Sequence, residues 1–240
     1  MEQLREELDR LMTALPNAEE LRSRLETLVS VYPFNEFEYI IAALLAAEKL
    51  THDEYVELRD AYITRNRFLK IFEIDAPRGF GETWAQGHLK KLVPELHKPS
   101  KKSDPAYSGE YDFLLDGRIK IEVKASRAVD SDSSEPLYVK ALSSDSSKRF
   151  DMNFQQVKPG CCDVFVWIGV WRDVIRHWVF ASREVASNRF YSVGQHRGNV
   201  GEGQLHFNQD NIRKFTAFES QSDQLITAIR NAFKRQNQQP

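Results

Sequence analysis

The chain has 240 residues, of which 41% are hydrophobic and 28% charged, with four Trp, fifteen Phe and a formal net charge of −2. That is enough apolar material for a real core in a soluble chain of ordinary charge content. No apolar run approaches the roughly 18–20 residues needed to cross a bilayer, and the amphipathic opening MEQLREELDRL is no secretory signal, so neither a membrane partner nor export is expected.

Residues 1 to about 75 read as helices. Leu4, Leu8, Leu11 and Met12 recur at helical spacing, as do Leu21, Leu25, Leu28 and Val29. Asn35 can cap a third helix carrying Phe37, Ile40, Ile41, Leu44 and Leu45. Thr51 and Glu54 make a capping box for a fourth, through Tyr55, Leu58, Tyr62 and as far as Leu69. This helical subdomain, 1–78, carries no candidate chemistry.

The texture changes near Asp75-Ala-Pro-Arg-Gly79, opening a second domain over 79–240. Gly81 to Leu96 reads as a helix whose apolar stripe includes Glu82. Arg118 to Ser126 alternates, with Ile119, Ile121, Val123 and Ala125 on one face and Lys120, Glu122 and Lys124 on the other. Asp163 to Trp171 is the continuous apolar run of a strand buried on both faces, with a hairpin partner over Val174 to Ala181. Cys161 and Cys162 enter this run as small side chains of a reduced, cytoplasmic protein. A last helix is expected from Ser222 to Gln236. The class is α/β, a central mixed β-sheet flanked by helices with a helical subdomain in front.

The chemistry concentrates in SGEYDFLLDGRIKIEVKAS. Glu122 and Lys124 leave the same face of one strand, and Asp112 lies on the preceding strand. Phosphodiester hydrolysis near neutral pH calls for a divalent cation on hard oxygen ligands. Asp112, Glu122 and the Val123 carbonyl can supply those oxygens, and Lys124 can hold the attacking water or offset transition-state charge. Register makes this a test. A regular two-residue turn at Asp116-Gly117 would put Asp112 opposite Ile121, facing away from Glu122. A three-residue loop, 115–117, would put it opposite Lys120, on the same face as Glu122. The chemistry therefore requires the longer loop or a bulge. A buried Glu82 would need a partner, which a cation supplies; Glu110 is the spare acid.

Asp112, nine intervening residues, then Glu122-Val123-Lys124 resembles the PD-(D/E)xK nuclease superfamily, in particular its type II restriction endonucleases. The resemblance spans 82 to about 181, with Tyr111 where the family has Pro. It implies a restriction-endonuclease-like core, Mg2+ (with Mn2+ substituting) on Asp112 and Glu122, Lys124 beside the attacking water, and an acid, here Glu82, on the preceding helix. It also implies site-specific cleavage of double-stranded DNA by a homodimer without a nucleotide cofactor; the helical subdomain, 1–78, is then expected to serve dimerisation or DNA contact. A repair, recombination or transposition nuclease of the same fold, or a non-catalytic DNA-binding module, is the alternative. Base and phosphate contacts are expected from Ser126 and Arg127 after the catalytic strand. Lys148 and Arg149, with Asn153, Gln155 and Gln156 on a helix, offer a second group, and the loop with His196, Arg197, Asn199 and Gln204 a third. His196 and His206 are further candidate bases, which the lysine-containing site does not need.

Overall fold

The structure, a computed structural model, describes residues 10–16, 18–19, 37–194 and 201–238. The expected second helix (Leu21 to Val29), the Asn35 cap and the loop residues His196, Arg197 and Asn199 lie outside these. The chain divides into two compact units, Met1–Arg67 and Phe68–Pro240.

In the first unit, helix α1 (Glu38–Ala46) buries Ile40, Ile41 and Leu44 against Met12, Leu15, Phe37 and Leu50. Helix α2 (His52–Arg65) opens on the Thr51 capping box: Thr51 Oγ1 accepts from the Glu54 amide at 3.2 Å, and Glu54 Oε2 accepts from the Thr51 amide at 2.8 Å. The helix stops at Arg65, before the Leu69 to which its apolar pattern extended.

The division at Arg67/Phe68 precedes the expected one near residue 78 because the intervening residues are tied into the second unit. The Phe68 amide donates to the Arg172 carbonyl at 2.7 Å. The turn Leu69–Glu73 buries Leu69 and Phe72, and Arg127 Nη1 donates to the Ile74 carbonyl at 2.7 Å.

The second unit contains two sheets. The larger runs β1 (Phe113–Leu115), β2 (Ile119–Arg127), β5 (Val164–Val170), β6 (Ile175–Ala181) and β9 (Glu219–Ser220), in that order. It is mixed: β2 and β5 are parallel and the other neighbours antiparallel. The smaller orders β3 (Val129–Asp130), β4 (Phe150–Val157), β8 (Gly203–Asn208) and β7 (Tyr191–Val193). Every residue of β5 is buried, as its unbroken apolar run requires.

An aromatic core joins the sheets. Trp167 of β5 stacks on Phe154 of β4 with ring centroids 4.6 Å apart, and Trp178 of β6 meets Phe207 of β8 edge-on at 5.0 Å. The short helix α4 (Ser182–Ala186) follows β6, and helix α5 (Leu225–Asn237) packs on β5 and β6, burying Leu225, Ile229 and Ala232. Among the described residues, no helix is long and apolar enough to cross a membrane.

Two elements differ from the sequence reading. Asn153, Gln155 and Gln156, expected on a helix, belong to β4; Phe150, Met152 and Phe154 are buried at period two, and this alternation decides. The expected helix 81–96 is a π-wound segment, Gly79–Ala85, followed by α3 (Gln86–Leu92). It ends before Val93 because the following Pro94 disfavours the helical conformation there.

Candidate active site

The hairpin β1–β2 sets the site's geometry. Asp116 and Gly117 both have positive φ, 53° and 66°, and the Arg118 amide donates to the Leu115 carbonyl at 3.1 Å, closing a tight turn. Regular pairing does not follow. Leu115 pairs with Ile119 and Phe113 with Ile121, so Arg118 is an extra residue on the second strand. One residue before β1 the Asp112 amide donates to the Ile121 carbonyl at 2.9 Å, and its carboxylate reaches the Val123 amide and the Glu122 side chain. The connection thus has the odd length the chemistry required, but spans 116–118 rather than 115–117, and Asp112 stands by Glu122 rather than by Lys120. Arg230 of α5 fixes the turn through a two-pronged bond to the Asp116 carboxylate, at 2.8 and 2.9 Å.

Asp112 Oδ2 accepts from the Val123 amide at 2.8 Å, and Lys124 Nζ lies 2.8 Å from Glu122 Oε1. An amide and carbonyl of one strand residue leave on the same side, so the Val123 carbonyl also points toward Asp112. Gln86 Nε2 donates to Asp112 Oδ1, and Lys98 Nζ donates to Gln86 Oε1. Burial raises the Glu122 pKa to about 7, opposed by Lys124 and reinforced by the Asp112 charge. Burial also raises that of Asp112, against the Val123 amide and the charges of Lys124 and Lys98. Two desolvated carboxylates beside one another are a donor set that a divalent cation would relieve. Among the described residues no group of three or more His, Cys, Asp or Glu side chains is arranged to hold a metal. The candidate set is therefore two carboxylates and a main-chain carbonyl.

These groups line a cleft of about 1500 Å³, together with Lys98, Glu110, Ser126 and residues of β4. Glu82 lines it too, but its side chain is 66% exposed and pairs loosely with Arg78 at 3.7 Å. The expected stripe assumed α-helical winding; the i→i+5 winding of 79–85 turns Glu82 outward and leaves Phe80 and Ala85 inside. Gln86 takes the inward place. Its only sequence signal was a polar residue next to the apolar positions of that helix. The helix is anchored to β6 by His88, whose Nε2 lies 3.1 Å from that of His177. The ring centroids are 5.3 Å apart, close to the Nε2 separation plus two ring radii, so the rings meet edge to edge as a hydrogen-bonded pair. Burial pushes the His177 pKa down to about 4.

Of the expected DNA contacts, Ser126, Arg127, Asn153, Gln155 and Gln156 line the cleft. Arg127 is taken up in the fold, its guanidinium bonded to the Ile71 and Ile74 carbonyls and 4.1 Å above the Phe80 ring. Lys148 pairs with Asp130 at 3.1 Å, and neither it nor Arg149 borders the cleft. Gln204 accepts from Asn153 Nδ2 at 3.3 Å. His206 Nδ1 lies 2.8 Å from Asp151 Oδ2, on the small sheet rather than with the acid–lysine cluster.

A scan of the chain against models of known protein families finds no match, and a search of curated proteins finds no relative. The geometry therefore carries the functional argument alone.

Proposed function

We propose that this chain is a divalent-metal-dependent DNA endonuclease, and within that class a type II restriction enzyme acting as a homodimer on duplex DNA. The observation that carries the reading is the bulged hairpin, which sets Asp112 beside Glu122, Val123 and Lys124 at the wall of an open cleft. A surface strand of alternating Glu and Lys would need neither the bulge nor two acids pushed up by burial.

Asp112, Glu122 and the Val123 carbonyl would hold Mg2+ or Mn2+. Such a cation, when bound, polarises the phosphoryl group and makes water a stronger nucleophile. Lys124 reaches the same space as Glu122, where its ammonium orients the attacking water and offsets charge on the phosphoryl oxygens. Gln86, backed by Lys98, keeps the Asp112 carboxylate turned toward Val123 and Glu122.

Supercoiled plasmid incubated with Mg2+, Mn2+ or Ca2+ tests the assignment. Discrete fragments with Mg2+ and Mn2+, and none with Ca2+, are expected of a restriction enzyme. A smear means an unspecific nuclease of the repair or recombination kind, and intact plasmid under all three ions overturns the enzymatic reading.

A further inference from the structure

The outer face of the small sheet is lined with polar side chains. Phe150, Met152 and Phe154 of β4, and Leu205 and Phe207 of β8, are buried in the core. The alternate residues, Asp151, Asn153 and Gln155 with Gln204, His206 and Asn208, share the opposite face. Asn153 pairs with His206, and the ladder keeps that offset through Phe154 and Leu205.

The pairing is then interrupted. A register shift follows Phe154, Gln156 adopts a left-handed φ of 53°, and Gln155 and Gln156 are both exposed in succession. A non-glycine residue in that conformation is strained, and bulges next to functional sites commonly re-aim side chains. Here the bulge turns two consecutive glutamines into the cleft that holds Asp112, Glu122 and Lys124. Asn153, in the same wall, is held by one long bond to Gln204, and its Oδ1 is buried with no hydrogen-bond partner. A buried unpaired acceptor is unfavourable, and a ligand donor within reach of a small side-chain rotation would satisfy it.

An amide presents a donor and an acceptor side by side, which matches the N6 and N7 edge of adenine in the major groove. We propose that the amides of Asn153, Gln155 and Gln156 form a base-reading wall, so that the cleft selects duplex DNA by adenines near the scissile phosphate. This rests on the reading of the cleft as a DNA site. It adds which surface reads bases and which base it favours. Asp151, the acid of this wall, is engaged by His206. The wall therefore discriminates by hydrogen bonding, while Lys98 and Lys124 supply positive charge to the phosphates.

The full chain is equilibrated in Ca2+ with a randomised DNA duplex pool, and the bound fraction is sequenced. The proposal predicts enrichment of a site with A·T pairs at fixed positions. Gln155→Ala, at an exposed position where the fold is not at risk, should relax one such position by roughly 5- to 150-fold. Asn153→Ala should relax a different position. An unaltered selected sequence in both variants, or no A·T enrichment in the wild type, overturns the wall. Binding is scored without cleavage, so the two readings fail separately. Sequence selection without Mg2+-dependent cutting refutes the nuclease and supports the wall, whereas cutting without base preference does the reverse. No DNA binding in Ca2+ overturns the wall outright.

Discussion

Glu122 is the residue whose environment departs furthest from what a strand-face glutamate would meet. Its carboxyl titrates near 4.5 when unperturbed and near 7 in the folded protein. Between those values the folded state binds more protons than the unfolded one, so the free energy of unfolding falls as pH rises, and the loss is complete above pH 7. In EDTA, Glu122→Gln should therefore be more stable than wild type at pH 8 by on the order of 2 kcal/mol. The difference should vanish toward pH 4, where the wild-type carboxyl is protonated. Urea titrations at several pH values measure it, and a difference that does not vary with pH would contradict a buried, repelled carboxylate. Adding Mg2+ at pH 8 should close the gap by stabilising the wild type alone.

At the scale of elements, the site depends on two strands and a helix being held in register. Gly169 of β5 marks how tightly the layers meet: a Cβ there would come within 2.8 Å of the Trp178 ring and 3.1 Å of Met152 Sδ. Gly169→Ala should cost about 1–3 kcal/mol through overpacking, read as a lowered denaturation midpoint with unchanged m-value. A neutral result would mean the sheets can separate without cost. The strands themselves were legible in the sequence. The alternation around Glu122 and the apolar run of β5 depend only on which residues face which side, and that is written locally. The parity of the hairpin was not legible, because Asp-Gly with a regular ladder and Asp-Gly with Arg118 bulged share one sequence. The chemistry demands the second, and the pairing of Leu115 with Ile119 shows it. The shift from Glu82 to Gln86 was hidden for a related reason: a π-wound turn changes which side chain faces inward without changing the residues. Asn153, Gln155 and Gln156 do not read as a strand although Phe150, Met152 and Phe154 alternate, since the bulge at Gln155-Gln156 breaks the pattern after five residues.

For the molecule as a whole, each unit has its own core. Met12, Leu15, Ile40 and Leu44 form one in the first, and the aromatic cluster around Trp167 and Trp178 forms one in the second. All four tryptophans, Trp84, Trp167, Trp171 and Trp178, belong to Phe68–Pro240, so their fluorescence reports on that unit alone. A fragment beginning at Phe68 should keep the tryptophan melting transition of the full chain to within about 3 °C. A drop several times larger would mean that the second unit does not stand on its own core. The most direct test of the central claim is the initial rate of supercoiled plasmid nicking in Mg2+ by wild type and by Lys124→Ala, each shown by its melting transition to be folded. The account predicts that the variant loses on the order of 100-fold or more in rate; nicking by the variant at the wild-type rate would contradict it.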